Sequence, residues 1–352
     1  YILDLPEING MANLITHPNV QDKLHFFPDF SNTDLLMGFF IVPIAVQWWS
    51  TWYPGAEPGG GGYIAQRMLA AKDEKNATWA VLFFNLAHYA LRPWPWIIIG
   101  LASLIIYPNL ESLATAFPNL DPSFIKDDLS YPAMLTFLPA GLLGLVVTSL
   151  IAAFMSTIST HLNWGSSYVV NDFYARFVDR NASEKQKVVV GRFSMIAMMG
   201  LAALLSFVLE EAKFAFDLII QIGAGSGLLF ILRWFWYRIN PWSEITAMGV
   251  SFTMAVLFFI NSSELLGFQN QLLGELQSWE MICLNVLITS IAWLAVTFLT
   301  DKSDQKTLDN FQAAIYGKES KFHNFQYKTL GFLLGVIGVY SLLFATGKIL
   351  YG

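Results

Sequence analysis

Residues 139–158 read Pro139-Ala140-Gly141-Leu142-Leu143-Gly144-Leu145-Val146-Val147-Thr148-Ser149-Leu150-Ile151-Ala152-Ala153-Phe154-Met155-Ser156-Thr157-Ile158. No ionisable side chain occurs in this stretch, and Asp, Glu, Lys and Arg are missing from the whole interval between Asp128 and Asp172. Crossing the roughly 30 Å hydrocarbon core of a bilayer takes about 20 apolar residues at a rise of about 1.5 Å each, and this interval is longer than that. The composition points the same way: 55% of the 352 residues are hydrophobic and 13% charged, with a mean hydropathy of +0.49. An ordinary soluble domain is roughly a quarter charged, so a water-soluble fold of this composition would be short of polar surface. The expected fold class is all-α, a polytopic membrane helix bundle whose solvent is the lipid bilayer.

Seven further segments reach spanning length, giving eight near 34–54, 77–106, 135–171, 188–209, 214–239, 243–261, 279–299 and 328–349. The second and third are too long to be straight. Bends or breaks are expected at Pro93 and Pro95 in the second, and at Pro139, Gly141 and Gly144 in the third. Lys and Arg collect on the cytoplasmic side of membrane proteins. An eight-span layout puts fifteen of the twenty here on one side, four on the other, and Arg92 inside a span. The first span then runs from outside to inside. Residues 1–33, 107–134 and 262–278 are external, and 172–187 and 300–327 cytoplasmic. The expected location is a cell membrane, either a bacterial inner membrane or a plasma membrane.

The formal charge of −6 is spread over short islands between apolar runs, so its placement says more than its sum. It offers no basic surface for nucleic acid. Cys283, the single cysteine, sits in an apolar run and rules out an intrachain disulfide or a multi-cysteine metal site. The stretch from Tyr1 to Asn32 lacks the layout of a signal peptide, and the chain reads as a carboxy-terminal portion. Nothing in it has the pattern of a catalytic triad, a metal-ligand cluster or a phosphate loop.

Three stretches together resemble the sodium/solute symporter family of sodium-coupled sugar, proline and sialic acid carriers. Tyr63-Ile64-Ala65-Gln66-Arg67-Met68-Leu69-Ala70-Ala71-Lys72 is similar to the family's cytoplasmic Gln-Arg-x-Leu-Ala-Ala-Lys signature. Pro139-Ala140-Gly141-Leu142, then Ala152-Ala153-Phe154-Met155-Ser156-Thr157 and Asp172-Phe173-Tyr174, follow the order of its sodium-binding helix. Leu232-Arg233-Trp234-Phe235-Trp236 is similar to an aromatic exit found in the family. The resemblance implies a leucine-transporter-like core of two inverted five-helix repeats. Residues 34–239 would be the second repeat, 240–352 three peripheral helices with a cytoplasmic loop near 300–327, and 1–33 an external segment. No internal repeat is visible, as expected if one copy is present. The first repeat is then a required partner, from the same protein or another chain.

Ala153, Ser156, Thr157 and Thr160 have the i, i+3, i+4, i+7 spacing of one helix face. Sodium takes hard oxygen ligands, which hydroxyls and backbone carbonyls supply without fixed charge. By resemblance, the Ala153 carbonyl and the Ser156 and Thr157 hydroxyls contribute to the family's sodium site, and Ser159 and Thr160 to an additional one in some relatives. Hydroxyls also serve plain helix packing in membranes, which is the competing reading.

His88 lies about 11 residues, or roughly 16 Å, into the second span, where an ionisable group near the bilayer midplane usually faces a cavity. It aligns with a family position that contacts substrate in sugar carriers. Arg92 lies four residues on, so the pair would present donors to a hydroxylated or anionic solute. The bland alternative is a satisfied packing histidine and an outward-reaching arginine. The first span holds Gln47, Trp48, Trp49, Trp52 and Tyr53, then Pro54-Gly55-Ala56-Glu57-Pro58 and four glycines to Gly62. Such a run is costly in a helix interior, so a break facing a cavity is expected. It departs from the family pattern as an insertion. Gln47, Trp49 and Trp52 are candidate solute contacts, although tryptophan also belongs at membrane interfaces. In the fifth span Asp217 and Gln221 share a face ahead of Gly223-Ala224-Gly225-Ser226-Gly227, which signals close packing or a hinge, and Gln221 is a further candidate solute contact.

The leading expectation is sodium-coupled symport of a small polar organic solute by alternating access, with sodium as the coupling ion and a sugar as the first guess. An amino acid, carboxylate or quaternary ammonium solute is the alternative, and a symporter-like membrane sensor a third reading. An enzyme is not expected.

Overall fold

A computed structural model of the chain describes residues 1–25, 27, 29–46, 67–207, 212–262, 270–316 and 325–351. Their regular structure is helical. Six helices are long and apolar enough to cross a membrane: Glu74–Ile106, Ala140–Val178, Glu184–Ser206, Pro241–Ser262, Ser278–Leu299 and Gln326–Tyr351. Two shorter apolar helices, Thr33–Ala45 and Ala215–Ala224, stand where the first and fifth expected spans begin. The chain is a multi-pass membrane protein.

The main helices are α1 (Thr33–Ala45), α2 (Glu74–Asn85), α3 (Trp94–Ile106), α4 (Ala140–Ser167), α5 (Glu184–Ser206), α6 (Ala212–Ala224), α7 (Gly227–Leu232), α8 (Pro241–Ser262), α9 (Ser278–Leu299), α10 (Gln305–Tyr316) and α11 (Phe325–Tyr351). They fall into two units, Tyr1–Leu14 with Ile99–Phe214, and Ile15–Ile98 with Ala215–Gly352.

In the first unit α4 starts directly after Pro139, which occupies its N-cap position. Pro139 therefore marks a helix start, as a residue with no N–H to contribute does well there. Gly141 and Gly144 lie inside the continuous helix and produce no break. From Tyr168 to Val178 the same helix widens into π-helical turns. A tight turn capped by Ser183 and Gln186 then sends α5 back along it. The two helices meet where the Ser166 hydroxyl donates to the Gly191 carbonyl at 3.0 Å.

In the second unit α2 widens into a π-helical segment, Leu86–Leu91, and ends at the Arg92-Pro93 turn before α3. Pro93 has no N–H to continue the ladder, and the Trp94 indole N–H donates back to the Ala90 carbonyl at 3.0 Å. The π-helical segment packs on α11, with the rings of Trp94 and Tyr351 edge to face.

The expected fifth span, 214–239, is two helices. It breaks at Gly225-Ser226 between α6 and α7, and there Gly225 lies so close to the Thr289 side chain of α9 that a Cβ has no room. The neighbouring α8 and α9 form the tightest pair in the unit. Ser243, Ala247, Ser251 and Ala255, four residues apart, are buried on α8 and face Ile282, Asn285, Thr289, Trp293 and Thr297, buried on α9. Small residues at this spacing let two helices approach closely, and hydroxyls and amides then bond across the gap. Thr297 donates to the Ser243 hydroxyl at 2.7 Å. Asn240 caps α8 by accepting from the Ser243 N–H at 3.1 Å, and donates to the Thr300 hydroxyl and the Asp301 carbonyl at 2.8 and 2.9 Å.

At Gly225→Ala the new methyl meets a rigid β-branched side chain, and a loss of about 1–3 kcal/mol is expected. Gly249→Ala in α8 meets open space and should leave stability unchanged or slightly raised. Thermal unfolding of the two variants in detergent compares them directly. Ahead of α10, Asp304 accepts from both the N–H and the hydroxyl of Thr307, which holds its carboxyl below the usual range. A carboxylate whose folded pKa is lowered adds stability at pH values above its unfolded pKa and loses it as pH falls through the folded one. The α10 start should therefore be unchanged from pH 7 to about 5 and loosen only below about pH 4, read by amide exchange at Thr307 and Leu308.

Candidate cation and solute site

Midway along α4 the Thr157 hydroxyl donates to the Ala153 carbonyl at 2.9 Å, and the Thr160 hydroxyl to the Ser156 carbonyl at 2.7 Å. Both hydroxyls spend their proton on their own helix, so their oxygen lone pairs turn outward. Neutral hard oxygens presented in this way are what a weakly held alkali cation needs. Ala153, Ser156, Thr157 and Thr160 are all exposed, and no residue of the most apolar stretch of α4 is buried by the rest of the described chain. The Ala153 carbonyl carries the Thr157 hydroxyl as well as the helix's own N–H. Of the four, it has the least capacity left for an ion. Ser159 stands roughly 100° round the helix from Thr160, off the line joining Ser156, Thr157 and Thr160.

His161, which the spacing argument passed over, lies one turn beyond Thr157 with Nδ1 2.9 Å from the Thr157 carbonyl. Its signal was available as an ionisable residue inside an apolar run. Among the described residues no group of three His, Cys, Asp or Glu side chains is placed to hold a metal ion.

The second unit holds His88, Arg92 and Gln221. His88 stacks on Phe84, ring centroids 4.8 Å apart and planes within 18°, and meets Tyr89 edge-on. Arg92 lies 4.7 Å over the Trp96 ring. The two side chains, four residues apart, thus each engage a different aromatic neighbour, one toward each end of the helix. Gln221 is 5% exposed, set where α6 meets α8 and α9. Its Oε1 has no hydrogen-bond partner among the described residues, while its backbone carbonyl accepts from Asn285 Nδ2 at 2.7 Å. Asp217 lies 3.4 Å from the Ser278 hydroxyl, at the start of α9. Gln47, Trp48, Trp49 and Trp52, and the glycine-rich stretch after them, lie outside the described residues.

Sequence reasoning also missed the residues that close the helix break. The Ser251 hydroxyl accepts from the Gly225 N–H at 3.2 Å and donates to the Ile222 carbonyl at 2.9 Å. Asn285 bonds the next carbonyl back, and Thr289 donates to Asn285 Oδ1 at 3.0 Å. The four-residue spacing of Ser243, Ala247, Ser251 and Ala255 was the available signal.

Among the described residues, six helices of spanning length and apolarity, a short apolar helix interrupted at Gly225-Ser226 and a face of neutral oxygens on a long apolar helix define the class as a polytopic helical membrane protein. The family model for the sodium:solute symporter family matches residues 6–259, and the chain belongs to that family. The sodium/glucose cotransporter of Vibrio parahaemolyticus is 28% identical over 277 residues, 74% of this chain and 49% of that protein. The human sodium/myo-inositol cotransporter 2 is 29% identical over 260 residues, 68% of this chain and 36% of that protein. The osmoregulated proline transporter OpuE of Bacillus subtilis is 35% identical over 123 residues, 34% of this chain and 24% of that protein. The chain spans about half or less of the length of these curated relatives.

Replacing Gln221 by Met removes a buried acceptor that has no partner, so Gln221→Met should leave the melting temperature unchanged or raise it; an unsatisfied buried group costs about 1–3 kcal/mol. Thermal unfolding in detergent measures this, and a marked fall would mean that the amide is bonded in the folded protein.

Proposed function

We propose that the chain supplies the second five-helix repeat, residues 34–239, and three peripheral helices, residues 240–352, of a sodium-coupled symporter for a small polar solute. The carrying observation is the pair of outward-turned hydroxyl oxygens at Thr157 and Thr160 on α4, beside the exposed Ser156, within the region that matches the symporter family. Sodium is cargo as much as coupling ion, so the site must let it go. Neutral oxygens hold a cation without the fixed charge that would trap it. Ser156 and Thr157 are its ligands from this repeat, and Thr160 and Ser159 flank them. Carbonyls and side chains of a first repeat complete the site.

Relatives named for glucose, myo-inositol and mannose favour a sugar or cyclitol as the solute, with an amino acid as the alternative that the proline transporter represents. His88, Gln221, Gln47, Trp49 and Trp52 are the candidate solute contacts, and Arg92 the weakest because Trp96 already engages it. Fifteen Lys and Arg on one side set that side in the cytoplasm.

In proteoliposomes holding this chain together with a first repeat, uptake of labelled glucose or myo-inositol should require sodium and fall to background in potassium. Ser156→Ala with Thr157→Ala should lower the sodium-dependent component at least tenfold, equivalent to about 1.4 kcal/mol, with the melting temperature retained. Solute binding with no sodium dependence and no uptake would favour the sensor reading.

A further inference from the structure

The backbone of α6 at Gln221 is held from two other helices. Its carbonyl accepts from Asn285 Nδ2 of α9 at 2.7 Å and from the Ser251 hydroxyl of α8 at 3.2 Å. The same hydroxyl reaches the Ile222 carbonyl at 2.9 Å and accepts from the Gly225 N–H at 3.2 Å. Asn285 and Ser251 are both fully buried. Thr289 fixes the Asn285 amide by donating to its Oδ1 at 3.0 Å, and Gly225 lies against the Thr289 side chain one turn on. Any rotation of the last turn of α6 about its own axis breaks these bonds together, so that turn has a single setting. Within it the Gln221 side chain is 5% exposed, and its Oε1 has no hydrogen-bond partner among the described residues.

We propose that Asn285 and Ser251 are positioning residues for solute recognition: from helices outside the five-helix repeat, they set the rotation of α6 at which Gln221 meets the solute. The assignment rests on the symport reading and deepens it. A helix is roughly 10–12 Å across, so a turn of about 10° carries a side-chain tip at its rim about 1 Å. A hydrogen bond stretched by about 1 Å from its usual length is no longer one. Two short side chains on neighbouring helices therefore hold the tolerance that recognition by Gln221 needs. A buried acceptor with no partner lowers stability, and a donor on the solute recovers that loss. Neither Asn285 nor Ser251 has to touch the solute, because their polar atoms are bonded to α6 and to each other's helices. The bond from Thr297 to Ser243 joins the same two helices away from the break, and it has no hold on Gln221.

The test measures KM and maximal rate of sodium-dependent uptake of labelled glucose and myo-inositol in proteoliposomes holding the full 352-residue chain with a first repeat, alongside the melting temperature. Asn285→Leu and Ser251→Ala are each expected to raise KM about tenfold and to leave the maximal rate within about twofold. Thr297→Val, which removes the bond to Ser243, should lower the melting temperature and leave KM unchanged. In the Gln221→Met background Asn285→Leu should raise KM no further, because the two residues act through one contact. Should Asn285→Leu fail to fold, Ser251→Cys keeps nearly the same side-chain size with a weaker donor, and an intermediate KM is expected. The assignment is overturned if KM stays unmoved in the Ser251 and Asn285 variants, if Thr297→Val raises it equally, or if the Asn285 effect persists in full without Gln221. Absence of sodium-dependent uptake by the unaltered assembly would sink the symport reading and this assignment with it. Uptake with an unmoved KM overturns this assignment alone.

Discussion

A backbone N–H or carbonyl in hydrocarbon has no water to turn to, and leaving one unmatched costs several kcal/mol. The second unit is organised around that constraint at one point, the interruption between α6 and α7. Ending α6 at Ala224 releases carbonyls that an uninterrupted helix would have used. The hydroxyl of Ser251 and the amide of Asn285 reach them, and the Ser251 oxygen also receives the Gly225 N–H. Side chains that short reach only if their helices come close. The small-residue line on α8, the bare Cα of Gly225 against Thr289 and the buried Trp293 all follow from bringing α8 and α9 to that distance.

The interruption after α2 is settled differently, within its own helix. The π-helical turns let the Arg92 N–H bond the Ala87 carbonyl, five residues back, and the Trp94 indole takes the Ala90 carbonyl. Pro93 therefore needs no polar partner from another helix. One break is thus tied to its surroundings by side-chain hydrogen bonds from α8 and α9, and the other packs on α11. A helix held by packing can slide at less cost than one whose polar groups would be stranded by the same movement.

Six of the eight expected spans stand as helices of spanning length among the described residues, because length and apolarity are local properties, and the family could be read too, since its motifs are short and contiguous. The hydroxyl face of α4 was equally legible, since i, i+3, i+4 spacing fixes a face once the helix is granted. What could not be read was direction. Asn285 in a run of apolar residues looks the same whether it meets lipid or a carbonyl thirty residues or more away, and only the approach of α9 to α6 decides. Gly225 was open to both a hinge and a close contact, and the position of Thr289 makes it a contact. Pro139 was expected to bend a span and instead begins a helix, because a proline preceded by a turn and followed by an unbroken apolar run sits where its missing N–H does no harm.

The bonds from Ser251 and Asn285 also decide which parts of the bundle can travel together. In a carrier that works by rocking, α8 and α9 cannot stay behind as a static rim while α6 tilts, since parting them would strand the carbonyls at the break. The contact continues past α9, where Ile282 packs with Val42 of α1 and Ile220 of α6, and the Trp279 indole N–H donates to Asp34 at 3.4 Å. These helices form one body for any such movement, whose reach is set by the hydrogen bonds it must keep rather than by the length of any one helix.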